Sequence, residues 1–282
     1  VKLELVKNTE AIHETEIAQL PSSDSKATDT VTTFEDFHLP TQAYKFAVHL
    51  IKQKRYGEAE KILTQLLKTE NGFEVLEALS IALYHLGESS RCAHISRQAL
   101  MLGEGFRDQR FQLLKFLGNS LIRLGDFAGA REAYEKAFLL YPGSDALQVN
   151  FGTLAIQEND WHQAIECFRQ ALFLNPDNDC AWVGLGLCHR IYGDLELAFA
   201  NVERALDQDK MNETALSLLL DWCRDQNDFR RVIPRFANFT DAGGFNAQLS
   251  QIFIQKAHQY GADQLADFEE FHMQLRTDIG NA

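Results

Sequence analysis

Lys115 and Asn119 stand four residues apart in KFLGN. On a helix that spacing puts an ammonium and a carboxamide on one face. Together they could hold a carboxylate, or a peptide amide that the asparagine meets as both donor and acceptor. Asn150 lies 31 residues further on and offers the same amide chemistry. Other chemistry is absent from the motifs. Gly184 to Gly186 (GLG) lacks the third glycine of a dinucleotide loop, there is no GxxxxGK[ST] phosphate loop, and HETE at His13 to Glu16 is not a zinc-binding HExxH. No GxSxG nucleophile elbow occurs. No catalytic residue, cofactor or metal site is expected, and the chain reads as a non-enzyme.

Composition bounds the partners. The net charge is −13 over 282 residues, which opposes a phosphate backbone as ligand, so no nucleic acid is expected. No apolar run approaches a membrane-spanning length, so no membrane insertion is expected. Cys92, Cys167, Cys180, Cys188 and Cys223 fall in predicted helices among apolar neighbours with no CxxC pair, which reads as reduced, buried thiols and a cytoplasmic setting. Five prolines and long runs of Ala, Leu, Glu, Gln and Arg predict an all-α chain.

The elements that must position Lys115 and Asn119 follow a ruler of 34 residues. Gly125, Asn159, Gly193, Asn227 and Gly261 are spaced by 34, as are Gly118, Gly152 and Gly186, and Ala130, Ala164 and Ala198. Gly or Asn ends one helix in a left-handed turn, and the Asp that follows in GDF, NDW, GDL and NDF is placed to cap the next. The small columns mark close helix crossings, and Pro142 and Pro176 close two repeats. Each unit is therefore a pair of antiparallel helices that cannot bury its apolar face alone.

Trp182, Leu185, Gly186, Gly193, Ala198 and Ala205 in one unit resemble the tetratricopeptide repeat (TPR) family. So do Gly152, Ala164, Phe168, Ala171 and Pro176 in the unit before it, and Leu117, Gly118, Ala130, Tyr134, Ala137 and Pro142 in the unit before that. The resemblance implies a right-handed superhelical solenoid of six to seven units. Their expected bounds are 40–72, 73–110, 111–144, 145–178, 179–212 and 213–246, with a degenerate seventh unit or capping helices at 247–282. Gly87 lies 38 rather than 34 residues before Gly125, so about four residues are inserted, with EGFRD near 104–108 as the expected place. Pro234 should bend or shorten the second helix of the sixth unit.

In the family the first helix of each pair lines a concave groove. That implies inward positions for Tyr44 and Lys52, then Tyr84, then Lys115, Asn119, Ile122 and Arg123, then Asn150, Thr153 and Gln157, then Val183 and Arg190. TPR domains that clamp a terminal carboxylate place Lys and Asn on one first helix, Asn on the next, and Lys and Arg on the third. Lys115, Asn119 and Asn150 match, but Cys180 and Gly184 occupy the basic half. The implied grip is therefore on a peptide backbone, with Asn119 and Asn150 exposed for it.

The expected function is a protein–protein interaction scaffold that binds a peptide segment of a partner. Residues 1–39 form an acidic tail or linker, of charge −5 through His38, and VKLEL alternates as a short strand would. Self-association or autoinhibition through this tail, docked in its own groove or that of another copy in a homo-oligomer, is one alternative. A secretion-type chaperone for an unfolded client is another.

Overall fold

The computed structural model describes residues 40–226 and 229–259. The tail at 1–39, Asn227, and Gly261 with the second half of the seventh unit lie outside the described residues. The described residues form thirteen α-helices and no strand. They divide into two compact units between Asp160 and Trp161.

The first unit holds α1 (Pro40–Lys52), α2 (Tyr56–Leu66), α3 (Phe73–His85), α4 (Ser89–Met101), α5 (Arg107–Arg123), α6 (Phe127–Leu140) and α7 (Asp145–Gln157). The second holds α8 (Trp161–Leu174), α9 (Asp179–Ile191), α10 (Leu195–Gln208), α11 (Glu213–Asp225), α12 (Val232–Asp241) and α13 (Ala247–Gln259). In the first unit α1/α2, α3/α4 and α5/α6 are pairs, and the first helices α1, α3, α5 and α7 also pack on one another in a row.

The turn within each pair is built as its residues dictate. Gly125 takes φ 80° at the end of α5. The Asp126 amide donates to the Leu121 carbonyl at 2.9 Å, and the Gly125 amide donates to Ile122 at 3.0 Å. These bonds satisfy carbonyls that a helix end otherwise leaves open. Asp126 then turns its carboxylate to accept from the Gly129 amide at 2.9 Å, capping α6. Asp194 repeats the cap on Leu197 at 3.2 Å in the second unit, and Asn159 takes φ 63° where glycine stands in its neighbours.

The insertion does not make a longer loop. First helices α1, α3, α7, α9 and α11 have 13 residues, whereas α5 has 17. The four extra residues are Arg107 to Arg110, ahead of the boundary expected at Phe111. RDQR is a run of helix-compatible residues, and the Phe106 amide donates to Gln109 Oε1 at 2.8 Å to start the turn. At Pro234 the second helix is shortened: α12 has 10 residues and begins at Val232, which leaves the proline in the first turn where its missing amide costs nothing.

Each unit has its own apolar interior. In the first, Ala130, Ala133, Tyr134 and Ala137 of α6 pack on Leu117 and Leu121 of α5. In the second, Phe168, Val202 and Phe239 are fully buried, and the rings of Phe236 and Phe253 stack 4.0 Å apart. The five cysteines are all buried. Burial pushes the Cys188 thiol up to about 12, so it stays protonated and inert.

Gly118 fixes the α5/α6 crossing. A Cβ there would lie 2.2 Å from the Tyr134 ring, which is fully buried. Gly118→Ala should therefore lower stability by roughly 1–3 kcal/mol through overpacking. Urea unfolding of the two proteins measures the difference.

Candidate functional site

The ring admitted by Gly118 is the start of a polar chain through the first unit. The Tyr134 hydroxyl donates to Asn119 Oδ1 at 2.5 Å. Asn119 Nδ2 donates to the Tyr84 hydroxyl at 3.1 Å, which joins α5 to α3. Arg123 Nη2 donates to the same hydroxyl at 3.2 Å, and its guanidinium lies over the Tyr84 ring at 4.6 Å. Four side chains from three helices thus fix one another. Tyrosine hydroxyls in a packed interior need such partners, and an unmet one would cost about 1–3 kcal/mol.

Asn119 and Asn150 are each only 2% exposed, which corrects the expectation that both stand open. Asn119 is engaged at both ends of its amide, so it positions Tyr84 and Tyr134 and is not free to grip a peptide. Asn150 Nδ2 has no hydrogen-bond partner. Lys115 is also buried, with Nζ donating to Gln112 Oε1 at 3.3 Å and lying 5.5 Å from the Phe111 ring centroid. Ile122 and Thr153 are buried, and the Thr153 hydroxyl donates to the Val149 carbonyl at 3.0 Å. Tyr44 and Gln157 are half-buried, and Lys52 is exposed.

Arg123 is the group left with capacity. It is half-buried, its Nε has no partner, and no carboxylate among the described residues pairs with it. In a chain of net charge −13 that is an uncompensated cation. Lys52 of α1 and His85 of α3 stand at corresponding places, whereas the last turn of α7 carries no basic residue. Cations suit helix C-termini, where carbonyl dipoles end.

The opposite end of α3 is acidic, and here sequence reasoning missed two residues. Counting the repeat register back from Gly87 places Glu74 and Glu77 in the first turns of α3, on the side of α1's Tyr44. Burial pushes the Tyr44 hydroxyl up, and the charges of Glu77 and Glu74 add to it. Burial also raises the Glu77 carboxyl, partly offset by a 2.7 Å hydrogen bond from Gln109 Nε2. Between the edges, Val48, Ile51 and Ile81 pack on the core yet stay half-open. The row thus offers apolar anchors between a negative and a positive margin.

In the second unit Val183 of α9 is buried, and Arg190 Nη2 donates to Asp225 Oδ2 of α11 at 3.2 Å. Gly184 is filled from within: a Cβ there would lie 2.4 Å from the Phe168 ring. Neither Cys180 nor Gly184 supplies charge.

Residues 111–144 match one tetratricopeptide repeat family model, and residues 149–212 match another. These stretches are tetratricopeptide repeats, in a fold of that family. This TPR chain is 27% identical over 169 residues to the cell division cycle protein 27 homolog of Caenorhabditis elegans. That match spans 60% of the chain but only 21% of the relative. Among solved structures, PilW, a widely conserved type IV pilus biogenesis factor, aligns over 77% of this chain and 99% of its own, with TM-score 0.58 and 15% identity. A chain of the APC/C hetero-tetramer Cut9–Hcn1 gives the same TM-score and identity over 77% of this chain and 42% of its own. At such identities the likeness is one of fold.

The TPR fold makes this an interaction scaffold for protein partners. Among the described residues no helix is long and apolar enough to cross a membrane.

Asn119→Ala removes the bridge between Tyr84 and Tyr134. It should lower stability by roughly 1–3 kcal/mol. Thermal and denaturant unfolding check it, and a change well under that range would mean the two hydroxyls find other partners.

Proposed function

We propose that the first-helix face of the first unit binds an extended or helical peptide segment of a partner protein, and that Arg123 engages a carboxylate on it. The observation that carries this reading is the guanidinium of Arg123, held by Tyr84 and lacking a carboxylate partner among the described residues. Its Nε is buried without a hydrogen-bond partner, and a carboxylate that reached it together with an Nη would satisfy it in a two-pronged bond. Val48, Ile51 and Ile81 supply half-open surface for apolar anchors, and Glu74 and Glu77 favour a basic residue at the other end of the segment. The bound segment therefore has a direction: acidic towards Arg123, basic towards α3's first turn. Binding is the whole of the function, without catalysis.

The inner-face role moves from the asparagines to Arg123. Asn119 supports the site from beneath. Asn150 Nδ2 is a second donor for a backbone carbonyl once the side chains over it shift. Lys115, Thr153 and Ile122 shape the floor. In the second unit the charge of Arg190 is already shared with Asp225.

Capture from native lysate by the full chain, read by mass spectrometry, tests this. Arg123→Glu should lose the partner that the wild type retains, and Arg123→Lys should retain it at roughly tenfold weaker affinity, since an ammonium keeps the charge but not the fork. Circular dichroism should show both variants folded. Equal capture by wild type and Arg123→Glu would refute the assignment.

A further inference from the structure

A cavity of about 580 Å³ opens on the other layer of the first unit, between the second helices α4 and α6. These two helices scarcely meet, and α5 forms the floor between them. Its Leu114, Leu117 and Leu121 line the bottom. They recur at i, i+3 and i+7, a row about 10 Å long on a helix of 1.5 Å rise. At the mouth Met101 and Leu139 are 82% and 78% exposed, so the apolar surface runs out of the cavity onto the protein's exterior. Such a continuous exposed patch is uncommon on a soluble protein unless something covers it.

The rim is basic. Arg97, Arg110 and Lys136 line it against a single carboxylate, Glu132. Glu132 is paired with Lys136 at 2.6 Å, and Arg97 is 3.7 Å from Asp126. Arg110 donates only to the Gly103 carbonyl, at 3.1 Å, and has no carboxylate partner among the described residues. Arg110 belongs to the extra turn that lengthens α5. The departure from the 34-residue register therefore puts a spare cation beside the apolar cavity.

We infer that this cavity is a second docking site, separate from the inner face, for an acidic amphipathic helix of a partner protein. Charge complementarity sets the sign: the lining is positive in a chain of net charge −13. The geometry sets the form. A helix with anchors at i, i+3 or i+4, and i+7 matches the leucine row. Among the described residues no aromatic side chain lines the cavity, which argues against a proline-rich segment, and there is no strand edge for β-addition. The extent of exposed Met101 and Leu139 calls for a macromolecular surface more than a small ligand.

The test uses the full chain and a fluorescein-labelled synthetic helix with leucines on one face and glutamates on the other. A counterpart carries lysines in place of the glutamates. Fluorescence anisotropy should show the glutamate helix binding at least roughly tenfold tighter than the lysine helix, and weakening as salt is raised. Met101→Glu, Leu139→Glu and Arg110→Glu should each weaken it by roughly three- to tenfold with unchanged circular dichroism. Arg123→Glu should leave it unchanged, which separates this site from the inner face. Equal binding of the two helices, or no effect of the Met101, Leu139 and Arg110 variants, overturns the proposal. It is equally overturned if Met101→Glu dissolves a self-associated form seen by sedimentation, which makes the occupant a second copy. Binding that appears only after residues 1–38 are deleted would make the occupant the chain's own tail, and also overturns it.

Discussion

The hydrogen bond from Tyr134 to Asn119 is the contact on which the first unit's chemistry rests. It exists because Gly118 has no side chain. The Tyr134 ring enters the space a Cβ would take, and its hydroxyl, now deep between α5 and α6, must find an acceptor. Asn119 is the next residue along and supplies one. Its amide is then turned so that its donor meets Tyr84 on the preceding pair. Tyr84 in turn offers a ring face and a hydroxyl to Arg123. A packing requirement at one glycine is thereby carried through hydrogen bonds to a charged group at the edge of the row.

This ordering separates residues that support the face from the one proposed to meet a ligand. A buried asparagine with both ends occupied is a strut. An arginine stacked on a tyrosine has lost side-chain freedom before any ligand arrives, and that loss need not be met again on binding. The acidic margin at Glu74 and Glu77 adds direction. In the proposed binding mode, opposite charges at Glu74/Glu77 and Arg123 would discriminate between a segment and its reverse, which a uniformly basic groove would not.

Much of the architecture was legible from spacing alone, because the turn chemistry is local. Gly125 and Asp126 act on atoms within five residues of themselves, so the residue types suffice to place the helix ends. The insertion before α5 was legible in position but not in form. Whether four extra residues become loop or helix depends on the helix-forming character of RDQR and on the Gln109 cap, both weak signals taken singly. The burial of Asn119 was not legible from its own neighbourhood. Its partners lie 15 residues ahead and 35 behind. The available signal was Tyr134, a tyrosine facing a glycine column, whose hydroxyl had to be met somewhere. Glu74 and Glu77 were within reach of the same register, once it is counted across the insertion.

The central claim is that Tyr84 sets Arg123 for a carboxylate. A double-mutant cycle measures it directly: the affinity for a peptide of the captured partner is determined for wild type, Tyr84→Phe, Arg123→Gln and the double variant. The account predicts that the two losses are not additive, with a coupling of roughly 0.5–3 kcal/mol. Additive losses would contradict it, because Arg123 would then act without the tyrosine that holds it.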